Sequence, residues 1–276
     1  MAYLRAFRPL SPSKFGLLRG FPSVSGLPER CTHRILASAR IMQLKFGRGW
    51  LRMTLDVNIS TFSSSELVLL HPNDFAKPKG LGGIKILSFE QKVDGSELVR
   101  NIAAAAFLAA EAAGDIKLEI RTGKALFGLR HPRYLSVDPG TTTTAWPEGS
   151  LESRIRSWAA SLMAKNNNSV KNIVYSWLAE DVPQPWHSAI VKTEIPLVRR
   201  GLLTTTQNTT LKVFKHTDIT LPVATAQTAG EQPITAIQSL LSNAQTARAD
   251  VWNQLISEVN GAISLRTESS SDTGPD

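Results

Sequence analysis

The chain has 276 residues, 42% hydrophobic and 20% charged, which allows one generous domain or two small ones with an ordinary core, and excludes global disorder. Its one cysteine, Cys31, excludes an intramolecular disulfide and any multi-cysteine zinc site, and no apolar run nears the roughly 18–20 residues that span a bilayer. The net charge of +8 is local: residues 1–52 hold ten Lys or Arg and one acid, Glu29, whereas residues 53–276 hold 21 Lys or Arg against 22 Asp or Glu.

Residues 1–52 are read as a basic extension, Arg- and Ser-rich and broken by Pro9, Pro12, Pro22 and Pro28. The composition fits an organelle-import presequence, a disordered arm for anionic partners, or residues translated from an upstream start. The last two are favoured, because the first orderly pattern follows Met53. No apolar core of about 7–15 residues follows the early arginines, which argues against a secretory signal.

Residues 53–266 are expected to form the folded domain. Glu66-Leu67-Val68-Leu69-Leu70 is a short apolar run stopped by His71-Pro72, and Lys77 to Gly83 reads as a flexible loop. Ser96 is expected to cap a helix over 97–113, whose six alanines between Ala103 and Ala110 let neighbours approach closely, with Gly114 as its C′ residue. Ile116, Leu118 and Ile120 alternate with charges, as in a half-buried strand, and Ala125 to Leu129 is expected to return beside it, continued by Tyr134, Leu135 and Val137.

The second half reads as helical. Leu151, Ile155, Trp158 and Leu162 share one face; Ser169 caps a helix carrying Val170, Ile173, Val174, Trp177 and Leu178. A third helix runs from near Trp186 to Gly201, with Pro196 expected to kink or break its last turn. A hairpin is expected from Leu202–Thr206 and Thr209–Phe214 around Gln207-Asn208, and Thr225–Gln232 reads as polar linker. Helices follow over Ile234–Ala244 and Val251–Ile263, and residues 267–276 read as a disordered tail.

Catalytic signatures are missing. His33, His71, His131, His187 and His216 are scattered, none in H-E-x-x-H, and the chain has neither a P-loop nor G-x-S-x-G. The expectation is a protein that is not an enzyme and needs no cofactor or metal.

The order of elements resembles the Golgi phosphoprotein 3 family over roughly Leu55 to Arg266. The apolar E-L-V-L-L opening, the small-residue helix ending at Gly114, the strand pair, the Trp-bearing helices, and Leu197-Val198-Arg199-Arg200-Gly201-Leu202-Leu203 running toward His216-Thr217-Asp218-Ile219 carry it. The resemblance implies a mainly α fold: a helix bundle ringed by amphipathic helices, with one or two β-hairpins. It also implies a cytoplasmic protein, peripheral on the cytosolic face of membranes, that binds phosphatidylinositol 4-phosphate. In eukaryotes it implies a trafficking role at the Golgi, with glycosyltransferase and coat-protein partners.

At the family's lipid site this chain offers Phe89 and Arg100 near the central helix. His187 and Ile190 stand where the family has arginines, with Lys192 the nearby cation. Arg100, Lys192, His187 and Phe89 are therefore the expected lipid-binding residues, and Trp146, beside Pro147 in a Thr-rich loop, is the expected membrane-inserting one. A single headgroup contact binds weakly, so homo-oligomerisation or a second contact is expected to accompany it. Two alternatives stand beside this reading. Helices at 169–180 and 186–200 followed by a hairpin imitate a winged helix, although the near-neutral folded part argues against nucleic acid. The other is a structural domain that dimerises without a lipid ligand.

Overall fold

The computed structural model describes residues 42–46, 49–53, 61–87, 89–123, 132–178, 184–210, 214–230, 232 and 234–271. Most of the basic extension and the expected strand at 125–129 lie outside these residues. Within the extension, β1 (Met42–Phe46) and β2 (Gly49–Met53) pair antiparallel, so ordered backbone begins before Met53.

The domain then opens with α1 (Ser64–Leu70). Ser63 and Glu66 form a capping box: the Ser63 N–H donates to Glu66 Oε2 at 2.9 Å, and the Glu66 N–H to Ser63 Oγ at 3.4 Å. All of α1 is buried. Pro72 starts the short α2 (Pro72–Phe75), and β3 (Ile84–Lys85) and β4 (Lys92–Val93) make a small ladder before α3 (Gly95–Ala112).

The cap of α3 is Asp94 rather than Ser96. The Asp94 carboxylate accepts from the backbone N–H groups of both Ser96 and Glu97, and the Ser96 hydroxyl donates to it. Every residue from Ile102 to Ala110 is buried, so this stretch of α3 is apolar on all sides. It packs on α1, on α2 and on four helices described below, which the alanines permit by keeping its surface thin. Gly114, at φ +78°, ends it in the left-handed conformation that glycine adopts without strain.

β5 (Ile116–Thr122) follows as its alternation predicts, and pairs with β6 (Arg133–Pro139) in the register Leu118↔Val137 and Ile120↔Leu135. α4 (Leu151–Met163), α5 (Val170–Leu178) and α6 (Pro185–Arg199) match the three expected helices. α6 runs through Pro196 unbroken, with that ring buried beneath Gly149.

The next hairpin is β7 (Thr204–Thr210) and β8 (Phe214–Thr220), with Gln207 paired to Thr217. The expected turn at Gln207-Asn208 is thus mid-strand. Gln-Asn lacks the glycine that tight two-residue turns favour, while the β-branched threonines favour continued extension. The expected linker is instead α7 (Val223–Gly230), which buries Thr225 and Ala229 and holds His71 Nε2 at 3.2 Å from the Ala229 carbonyl. α8 (Ile234–Ala247) and α9 (Ala249–Ser271) complete the domain. The backbone of α9 stays helical past Arg266, so the expected tail is shorter than its composition implied. The four remaining neighbours of α3 are α4, α6, α8 and α9. The protein is mainly α, as expected, and among the described residues each sheet is a single antiparallel pair.

Candidate functional site

α3, α6 and α9 meet around Arg100. The residue lies one turn into α3, half-buried. Its Nε donates to Asn260 Oδ1 on α9 at 2.9 Å, and its guanidinium carbon sits 5.5 Å from the ring centroid of Trp186 on α6. This is a cation–π contact with one fixing hydrogen bond. Among the described residues, the two terminal nitrogens of Arg100 have no partner and no carboxylate pairs with it. The arrangement fixes the plane of the guanidinium and leaves donors for a planar or tetrahedral anion.

The other expected lipid-binding residues do not all gather here. His187 is exposed and follows Trp186 directly. Lys192 comes six residues after Trp186, about 120° around the helix, on the outer stripe with Ser188, Ile195 and Arg199. No contact among the described residues brings Lys192 to Arg100. Phe89 is half-buried in the connection between β3 and β4, its N–H donating to the Ile86 carbonyl at 3.1 Å. The resemblance pointed to Arg100, which lies on the central helix, but gave no sign of its neighbours Trp186 and Asn260. Asn260 is 160 positions away, and no local pattern links such a pair.

Trp146 is half-buried. Its indole N–H donates to Asp115 Oδ2, and the other carboxylate oxygen accepts from the Thr144 N–H at 2.8 Å. Asp115 is itself buried. The bond ties the Thr-rich loop to the end of α3.

A second polar cluster joins α1, α4 and α6. Glu152 Oε1 accepts from the Ser65 N–H and Oε2 from the Ser65 hydroxyl, each at 2.7 Å. Glu66 accepts from Arg200, whose Nη1 also donates to the Thr61 carbonyl at 2.8 Å. Burial raises the Glu66 carboxyl to about 7 against the pull of the Ser63 N–H and Arg200, and raises Glu152 in the same direction. Paired carboxyls with raised affinity for protons can serve as acid and base. Here both are about 1% exposed and every oxygen is engaged within the protein, so the cluster reads as a structural lock.

Glu258 plays a similar part, accepting from the Leu135 and Lys171 N–H groups and so joining α9 to β6 and α5. Glu194 differs: it is 6% exposed, burial raises it to about 7, and its carboxyl has no hydrogen-bond partner among the described residues. An open groove of about 410 Å³ between α2, α3 and α8 is lined by Asn73, Asp74, Lys77, Glu97, Gln238 and Ser242, among others. It gathers no catalytic set, and no group of three or more His, Cys, Asp or Glu suited to a metal occurs among the described residues. No family model matches this chain, and no curated protein matches it either.

Proposed function

We propose that this chain is a Golgi phosphoprotein 3-like peripheral membrane adaptor. It docks on an anionic lipid headgroup, phosphatidylinositol 4-phosphate or a close relative, at the junction of α3, α6 and α9. One observation carries the reading: Arg100 is half-buried, oriented by Asn260 and Trp186, and has no acid partner among the described residues. A partly desolvated guanidinium without a counter-ion is costly, and a phosphate supplies the missing charge in bidentate form. The mainly helical fold around a small-residue central helix supports the same reading. No helix among the described residues is long and apolar enough to cross a membrane, which is compatible with docking from one side.

In this mechanism the headgroup phosphate seats against Arg100, and Trp186 and Asn260 keep the fork from rotating away. His187 and Lys192 lie farther round α6, with Lys192 a peripheral cation and His187 a peripheral polar contact rather than ligands of the same phosphate. Affinity from one headgroup is on the order of micromolar, so a second contact or self-association lengthens residence. The test is sedimentation of the full chain with vesicles carrying phosphatidylinositol 4-phosphate against phosphatidylserine vesicles of matched charge. Preferential recovery on the former, reduced about ten-fold by Arg100→Ala, is the expected result. Equal recovery on both removes the headgroup claim, and no recovery on either removes the membrane claim.

A further inference from the structure

The hairpin of β3 and β4 carries a second feature, built from different residues. Lys77-Pro78-Lys79 runs beside β4: the Lys79 N–H donates to the Lys92 carbonyl at 3.0 Å, the Asp94 N–H to the Lys77 carbonyl at 2.9 Å, and Pro78 bridges to Val93. On the other side of β4, Lys85 lies directly across from Lys92. Like charges in directly opposed positions of a ladder are destabilising, so this pairing costs the fold something. Lys79 is neutralised by Asp94 at 2.9 Å. Lys77, Lys85 and Lys92 are exposed, and no carboxylate pairs with their ammonium groups among the described residues, although the Lys77 N–H donates to Glu97 Oε2 at 2.8 Å. Residues 77–92 hold four lysines and one acid, Glu90, a local net of +3.

The segment between these lysines, read from composition as a loop, contains a defined turn. The Gly83 N–H donates to the Gly80 carbonyl at 3.3 Å, and Gly82 has φ +74°, the left-handed third position of a type II turn. A Cβ on Gly83 would lie 2.0 Å from the Lys79 carbonyl oxygen, so only glycine fits there. The turn holds Leu81 fully in water, at 101% of its reference exposure. Its base is fixed: Val93 and Ile86 are buried in the core, and Ile84 packs over Gly95. The result is an apolar tip on a stem anchored in the core, with lysines beside it.

We propose that the Gly80–Gly83 turn is the element by which this chain enters an anionic bilayer, with Leu81 reaching the acyl boundary and Lys77, Lys85 and Lys92 resting on lipid phosphates. A nucleic-acid backbone would use the lysines but gain nothing from an exposed leucine, whereas an anionic bilayer uses both. The inference rests on the anionic bilayer of the function proposed above but on none of its residues, so loss of vesicle binding altogether removes both, while loss of either contact alone is distinguishable.

The test uses the full chain with Cys31→Ser and Leu81→Cys, labelled at position 81 with an environment-sensitive fluorophore. Phosphatidylcholine vesicles with about one third phosphatidylserine are expected to shift its emission to the blue, and pure phosphatidylcholine is not. Lys85→Glu with Lys92→Glu should raise the lipid needed for half the shift about ten-fold or more, and Leu81→Asp in the unlabelled chain should cut sedimentation about ten-fold. Position 81 faces water, so circular dichroism should match the parent. A blue shift that survives Arg100→Ala supports the tip as a contact in its own right. Sedimentation without any shift, and unaffected by Leu81→Asp, overturns this inference and leaves the Arg100 reading standing. Retention of random duplex DNA at low salt that depends on Lys85 and Lys92, again without a shift, overturns it in favour of nucleic acid.

Discussion

Two half-buried arginines sit in unlike surroundings. Arg200, at the end of α6, reaches Glu66, the Thr61 carbonyl and the Pro196 carbonyl, and so joins the end of α6 to the start of α1. Arg100, on α3, spends one N–H on Asn260, lies over Trp186 and meets no acid among the described residues. Both are cations in a partly dry setting. The first is answered within the fold, so its removal strands a buried carboxyl. The second is oriented but not neutralised, so its removal should strand nothing inside the protein and subtract mainly from what the protein can hold. A cation's partners, more than its burial, separate a structural role from a binding one.

The sharpest break of this comparison is Arg200→Ala. It leaves Glu66 buried without its counter-ion and is expected to lower unfolding stability by about 3 kcal/mol at neutral pH, read from urea titration. Loss of no more than about 0.5 kcal/mol would mean that the lock is idle.

Glu194 tests the same idea from the acid side. Its carboxyl and that of Glu66 bind a proton more tightly in the folded chain, at about 7, than the ordinary 4.5. Their contribution to stability is therefore fully present below pH 4.5 and is lost as the pH rises through about 7. Glu194→Gln should raise stability at pH 8 by on the order of 2 kcal/mol and flatten the pH dependence between 4.5 and 7. An unchanged slope of stability against pH in the variant would show that Glu194 is solvated.

Arg100→Ala should cost only about 1 kcal/mol of stability, the worth of one hydrogen bond and one cation–π contact, beside its larger effect on vesicle binding. A stability loss equal to that of Arg200→Ala would dissolve the distinction between the two residues. The smallest effect concerns Trp146. Trp146→Phe removes the indole bond to Asp115 and should cost about 1 kcal/mol or less while leaving vesicle sedimentation unchanged. Reduced sedimentation would return that ring to the membrane.

Several elements were legible because local chemistry alone demands them. Six alanines and a glycine end mark α3 as a buried helix, and strict alternation from Ile116 to Ile120 marks β5. The misreadings have a shared cause. Thr225 and Ala229 look like linker until α1 supplies the surface that buries them, and Gln207-Asn208 looks like a turn until the partner strand extends the ladder past it. Asp94 won the cap from Ser96 by a one-turn contest that composition cannot decide.

Arg100 was visible as a candidate, but its orientation was not. Asn260 and Trp186 reach it only once α6 and α9 have packed on α3. The sequence by itself determined helical class, the central helix, and where most helices begin, because propensity, capping and hydrophobic period act over a few residues. Tertiary structure alone decided which cations are neutralised, which ring is tied down and which leucine is left in water. Those outcomes depend on distances between segments far apart in the chain, and on burial, which no single segment possesses before the others fold around it.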